Sequence, residues 1–458
     1  MYHISPEGLP ELSIFMGHFD EYCHRLETWQ AMEDYIKGLL MPVERKNCEQ
    51  MAAAIPGCHA QRLHHLLTKA TWDEQAVNDK RLELFLQRFG REPGYLIFDD
   101  TGIPKKGSGS VGVARQYSGT LGKIGNCQVI VTSQFVTPQG KSCPVHARLY
   151  LPAEWTDDPA RCRRSHVPEN TVFQTKTEIA IDLLDQAIAR SLPIRAVLGD
   201  AGYGRNPDLV EAIEKRQIPY LLAVPACFGV RKIDDVKRAQ EELKQARATT
   251  PKGRPRKRLL APTYTAQTLT DELPDNEWHT ISWREGSKGR LTKQFCRVRV
   301  HWASGDRIGS EVWLMGERPL PGHDGEAKWY ISDFSPDTSL TEMADIAHQR
   351  WHIERFYQDA KTELGFDHYE GRSWIGLHRH LTLVMLAYTW LLLQDSSDEN
   401  PKASGMKLFS YGHSSAQRPE PSFAVVRYVR RKVLERFQYT WFAWLFQHQV
   451  YRNMLAFV

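Results

Sequence analysis

Asp100, Asp200 and Glu354 stand far apart in a chain of 458 residues, each in a stretch able to hold a side chain rigidly. Three hard carboxylate ligands with open coordination positions suit Mg²⁺, or Mn²⁺ in its place, because such ions keep waters and take phosphate oxygens from a substrate. Two ions about 3.5–4 Å apart would activate a water or hydroxyl and stabilise the leaving oxygen. A lone acid in a stretch such as "GDAGYG" is more often structural, so the chemistry depends on what brings the three together. Asp99 is the competitor for the first position. The run "YLIFDD" is apolar on both faces, so alternation does not say which of its two acids points at a shared site.

A second pattern lies around Glu354. In "RWHIERFYQDAKTELG", residues 350–365, a turn of about 100° per residue puts Arg350, Glu354, Tyr357 and Lys361 within a narrow arc. Ile353, Phe356, Ala360 and Leu364 form the neighbouring stripe, so the polar arc borders a core. Read alone, this is an amphipathic surface helix with an Arg–Glu pair worth about 0.2–0.5 kcal/mol, in the weaker order for pairing. It acquires chemical meaning only beside the other two acids.

The elements must supply that proximity. Residues 1–92 read as helical, and around Ile55-Pro56-Gly57 they have the layout of a helix-turn-helix. Gln61 and Arg62 open its second helix as DNA-contact candidates, with a plain helical hairpin as the alternative. Residues 93–227 change character: "YLIFDD", "CQVIVTSQFVT" and "CPVHARLYLP" are strands, followed by a helix, the strand "IRAVLGD", a helix and the strand "IPYLLAVP". Three sequential strands suit an antiparallel meander, and helical crossovers suit two parallel strands. The fourth strand then lies beside the first, and Asp100 beside Asp200. The stretch "TGIPKKGSGSVGVARQYSGTLGKIGN" reads as a loop, with Lys105 and Lys106 as candidate DNA contacts. Residues 228–340 read as a basic, mostly β insertion whose run Lys252, Arg254, Arg256, Lys257 and Arg258 is a candidate DNA contact, with a solvated loop as the alternative. Residues 341–395 carry the Glu354 helix and a buried helix, and 396–458 are a loop and further helix.

Together these residues resemble the DDE transposases of bacterial insertion sequences, in the branch with a Y-R-E-K signature, the IS-four superfamily. Arg350, Glu354 and Lys361 match three of the four signature members in spacing, while Ala347 stands where the tyrosine is expected. The Asp-Thr pair of the family falls on Asp100-Thr101, its second Asp on Asp200, and its β insertion on residues 228–340. The resemblance implies an α/β, RNase H-like mixed sheet of three antiparallel and two parallel strands. It also implies two Mg²⁺ ions on Asp100, Asp200 and Glu354, with Asp99 in a supporting place. Arg350, Tyr357 and Lys361 would lie along the DNA backbone. An aromatic of the insertion would stack on a displaced base, which points to Trp329, with Trp313 as rival and burial in the core as the plain alternative. The implied activity is cut-and-paste DNA transposition: cleavage at terminal inverted repeats and transfer of the 3′-hydroxyl ends to target DNA by a homodimer bridging two ends. A nuclease of the same fold without strand transfer and a silent DNA-binding regulator are the competing functions.

Bulk properties agree with a globular nucleic-acid enzyme. Hydrophobic residues make up 41% and charged residues 25%, with a formal net charge of +4 and a pI near 8.5, so basic clusters matter more than the total. The eight cysteines have no C-x-x-C spacing, which argues against a zinc site or disulfide framework and for a reducing cytoplasm, at the nucleoid. No start resembling a signal peptide is present, and "LTLVMLAYTWLLLQ" is too short to span a bilayer.

Overall fold

The computed structural model describes residues 9–249, 261–286, 289–394 and the positions 426, 427, 429–432 and 434. The basic run at 252–258 and most of 396–458 lie outside the described residues. The chain begins with five helices, α1 (Pro10–Met16), α2 (Leu26–Leu40), α3 (Cys48–Ala54), α4 (Ala60–Thr68) and α5 (Glu74–Phe89). Strands β1 (Gly94–Pro104), β2 (Ala114–Ser118), β3 (Lys123–Val136) and β4 (Ser142–Tyr150) follow. Next come α6 (Ala153–Thr156), α7 (Pro159–Arg164), α8 (Lys176–Ala189), β5 (Ile194–Gly199), α9 (Ala201–Gly204), α10 (Pro207–Lys215) and β6 (Tyr220–Val224).

The region read as an insertion contains β7 (Gly229–Lys232), α11 (Ile233–Thr249), β8 (Tyr264–Thr265), α12 (Ala266–Asp271), β9 (His279–Gly286), β10 (Gly289–Ser304), β11 (Arg307–Arg318) and β12 (Lys328–Ser332). Helices α13 (Leu340–His348), α14 (Trp351–Leu364) and α15 (Trp374–Leu393) complete the order.

The fold is mixed α/β. Strands β4, β3 and β1 are antiparallel neighbours, and β5 and β6 run parallel to β1 on its other side. Helical connections through α6–α8 and through α9–α10 make the parallel pairing possible. A capping box fixes the start of α8: Thr175 receives the Glu178 backbone N–H, and Glu178 receives that of Thr175.

Two features depart from the sequence reading. The stretch read as a loop after β1 contains β2, which pairs with the first residues of β3 and makes a hairpin. Its glycines and serines hide the strand from a composition argument, since the pairing comes from β3. The β insertion also continues the core sheet: β12 pairs antiparallel with β6, β11 with β12, and β10 with β11. One sheet of twelve strands therefore runs from the meander to β8.

Alternate residues of β1 divide the interior. Leu96 and Phe98 join one hydrophobic cluster with residues of α8, α10 and α15. Tyr95 and Ile97 join another with Ala196 and Leu198 of β5 and Ile346, Ala347 and Ile353. Ala347, in the position of the signature tyrosine, is thus a buried core residue. Helix α14 buries Ile353, Phe356, Ala360 and Leu364, the stripe expected from spacing, and ends at Gly365 in the left-handed conformation, φ 66°. Among the described residues no helix is long and apolar enough to cross a membrane.

Candidate active site

The parallel register sets Phe98 beside Gly199, so the acids that follow, Asp99–Asp100 and Asp200, emerge at the same end of adjacent strands. Asp200 caps α9, and its Oδ1 accepts the backbone N–H groups of Gly202 at 2.8 Å and Tyr203 at 3.2 Å. Asp100 pairs with the Lys176 ammonium at the start of α8, 3.0 Å away. Asp99 uses both oxygens: Oδ1 accepts the Asp100 backbone N–H at 2.8 Å, and Oδ2 meets Arg350 at 3.2 Å. Arg350 also donates to Glu354 Oε1 at 2.7 Å, so one guanidinium lies between the two acids.

Electrostatics separates the two neighbouring acids. Burial pushes the Asp99 carboxyl up to about 7, against the opposing pull of Arg350, and the negative charge of Asp200 adds to the rise. Asp100 is also raised, by burial first, with Lys176 opposing and Asp200 adding. The side chain of Asp99 is 15% exposed, that of Asp100 24% and that of Glu354 60%. Of these three the acid most open to a substrate is on the helix, and the least open is Asp99.

The close convergence expected of Asp100, Asp200 and Glu354 is not found. Among the described residues no group of three His, Cys, Asp or Glu side chains is placed to hold a metal ion. The physical reason is visible in the pairings: Lys176 holds Asp100, while Arg350 holds Glu354 and Asp99. Like-charged carboxylates gain more from separate cations than from facing one another. The donor set nevertheless fits a divalent ion. It consists of hard oxygens at one sheet end, Asp200 raises the proton affinity of both neighbours, and the buried hydroxyl of Tyr203 beside them has no hydrogen-bond partner.

The remaining candidates distribute as follows. Tyr357 turns inward, its hydroxyl 2.5 Å from Thr132 Oγ1, so the expected place along a DNA backbone is replaced by a bond to the sheet. The Lys361 ammonium donates to Thr101 Oγ1 at 2.7 Å, the Gly102 carbonyl at 3.2 Å and Thr120 Oγ1 at 3.3 Å. Lys105 donates to the Tyr369 carbonyl at 2.7 Å, and Lys106 is exposed.

In the N-terminal hairpin, Gln61 is exposed while Arg62 pairs with Asp34 of α2. Trp329 lies within β12, between Gly316 and Val224 in register, and its indole N–H donates to Thr270 at 2.9 Å. The ring is half-buried, packed in part against the sheet. Trp313 donates to the Phe334 carbonyl and lies under Arg297 and Arg299. Lys176 was not singled out from the sequence; a lysine at the first turn of a capped helix carries no local signal that it meets an acid 76 residues earlier.

Comparison with known proteins bears on these elements. The family described as "DDE superfamily endonuclease" matches residues 16–290, which include β1, α8 and β5 and end before α14. The chain is also similar to a protein of Microchaete diplosiphon described as "Probable transposase for insertion sequence element IS701". The two are 30% identical over 213 residues, 45% of this chain and 53% of that protein. The chain spans about half the length of the curated relative it matches.

Proposed function

The chain belongs to the DDE superfamily endonucleases, and on that premise we propose that it is an insertion-sequence transposase. It binds the terminal inverted repeats of its element, cleaves phosphodiester bonds there and joins the freed 3′-hydroxyl ends to target DNA. The observation that carries the reading is the parallel pairing of β1 with β5 beside α14, which brings the Asp99–Asp100 pair, Asp200 and the Arg350–Glu354 pair to one end of the sheet. The order β4-β3-β1-β5-β6 supports an RNase H-like core. Similarity to a probable insertion-sequence transposase supports the substrate class.

Asp100, Asp200 and Glu354 are assigned as the residues that hold divalent metal, two Mg²⁺ ions or Mn²⁺ in their place. When bound, such ions activate the attacking oxygen and stabilise the leaving one. Asp99 is assigned to position Arg350, because both its oxygens are engaged, one by its own strand and one by that guanidinium. Lys176 neutralises Asp100 and would yield that carboxylate to a bound ion. Arg350 would offer its guanidinium to a phosphate as a forked donor if Glu354 held metal. Lys361 holds the catalytic helix against the end of β1. Two copies acting on two ends in the bacterial cytoplasm complete the reading.

The test uses duplex DNA from either side of the coding region, purified full chain and Mg²⁺, with a supercoiled plasmid as target. Cleavage at an inverted-repeat boundary followed by joining to the plasmid is the expected result. Cleavage without joining would make the chain a nuclease. Tight repeat binding with neither step would make it a regulator.

A further inference from the structure

The hairpin of β2 and β3 is not used by the chemistry above, and it carries an unusual surface. From Thr101 to Ala153 the chain has no Asp or Glu and six Lys or Arg. Within the hairpin Tyr117 and Ile124 are 63% and 59% exposed. They are direct partners in the antiparallel register, so their side chains stand side by side on one face. Arg115, two residues before Tyr117, extends that face, while Lys123, the register partner of Ser118, belongs to the other face at the turn; both are exposed. Single exposed apolar residues are ordinary on a protein surface. An adjacent aromatic–aliphatic pair with the exposed Arg115 on the same face is a different case.

The hairpin is also built onto the active site. Its turn is closed by backbone bonds from Leu121 to Ser118 and from Gly122 to Gly119. Gly122 takes φ +62°, which glycine tolerates best. Thr120 at that turn meets both Lys361 and Thr101. Ser118 on the inner face packs so closely on β1 that a Cβ at Gly102 would lie 1.9 Å from its Oγ. The arm is thus fixed to the strand and helix that carry Asp100 and Glu354, with its apolar pair turned to solvent.

We propose that this hairpin is a contact arm for an unpaired DNA strand at the cleavage end, with Tyr117 stacking on a base, Ile124 supporting the ring, and Arg115 on a flanking phosphate. The proposal rests on the transposase reading and adds the strand-binding surface to the same site. Intact duplex offers phosphates on its outside and keeps its base faces covered, so cations alone would suffice for it. An exposed aromatic next to those cations fits a base whose face is free.

The experiment uses the full chain with metal chelated and two probes of arbitrary sequence: a blunt duplex, and the same duplex with a short unpaired tail containing 2-aminopurine. Wild type should bind the tailed probe roughly tenfold more tightly than the blunt one and quench the tail fluorescence. Tyr117→Ala should lose both effects, Tyr117→Trp should keep them, and Ile124→Ser should weaken them. Arg115→Gln should reduce the slope of log affinity against log salt by about 0.7, the value for one contact to a single strand. Undiminished tail preference in Tyr117→Ala would overturn the proposal. So would loss of a dimer in that variant by light scattering with tail binding intact, which would make the pair a contact between copies. Mg²⁺-dependent cleavage of the DNA flanking the coding region, run on the same preparations, tests the underlying reading separately. Cleavage without tail preference removes only the arm, and tail preference without cleavage removes the transposase reading.

Discussion

Asp99 and Asp100 are chemically identical neighbours that the fold places in different company. Asp99 is bonded to its own strand and to Arg350, whereas Asp100 has a single partner, the partly exposed Lys176. Exchange of either acid for its amide separates ligand from positioning residue. Asp100→Asn should lower cleavage by more than about a hundredfold, beyond the roughly 10–100-fold typical of a residue supporting a ligand, and should abolish Mn²⁺ binding measured by calorimetry. Asp99→Asn should keep Mn²⁺ binding and fall within that smaller range. The opposite pattern would exchange their roles. Tyr357 gives a second test at this scale. Tyr357→Phe leaves Thr132 without its partner and should cost about 1 kcal/mol in urea unfolding, with DNA affinity unchanged. A loss of DNA affinity without a loss of stability would return Tyr357 to the DNA surface.

The strands of the insertion hold a buried charge cluster at the level of the element. Glu317 on β11 is fully buried, pairs with Lys293 of β10 and His348 of α13, and accepts a bond from Tyr330 of β12 at 2.8 Å. Burial alone would raise its carboxyl, but His348 and Lys293 outweigh burial and hold it down at about 2. A carboxyl depressed in the folded state stabilises above its unfolded value near 4.5 and loses that contribution as pH falls toward about 2. Stability measured by urea should therefore drop by about 3 kcal/mol across that window, and Glu317→Gln should flatten the drop while lowering stability at neutral pH. An unchanged acid limb in the variant would show that other carboxylates govern it. On the neighbouring strand, Trp329→Ala removes a ring packed in the sheet together with its bond to Thr270, and should cost about 3 kcal/mol. Full stability with lost cleavage would restore the base-stacking role.

Across the whole molecule, the continuous sheet makes the insertion inseparable from the core. The backbone edge of β6 is covered by β12, and β12 by β11. Removal of residues 228–332 with a short linker should leave β6 as an open, apolar edge and give an aggregating protein, where a domain hung on flexible linkers would leave a soluble core. Size-exclusion chromatography and circular dichroism of the deletion distinguish the two. Continuity also has a functional side. Tyr330 lies near enough to Arg350 to feel its charge, so the insertion strands and the start of α14 share one electrostatic environment.

The amino-acid sequence by itself determined the elements and the inventory of chemical groups. The spacing in "RWHIERFYQDAKTELG" specified a helix with Ile353, Phe356, Ala360 and Leu364 inward, because a helix repeats its faces locally. Apolar runs bounded by turn residues specified β1, β3, β4, β5 and β6, and with the rule for crossovers they put Asp200 next to the Asp99–Asp100 pair. Partners across the sheet were decided only by the tertiary structure. Lys176 with Asp100, Arg350 with Asp99, Tyr357 with Thr132 and Trp329 with Thr270 each join residues at least 59 positions apart. No local pattern encodes such pairs; register and packing bring them within reach. The same holds for β2, whose residues become a strand through the edge that β3 offers, and for the sheet that runs on from β6 into the insertion. Local sequence sets backbone preference and periodicity, whereas charge neutralisation and edge pairing depend on what the completed fold places alongside.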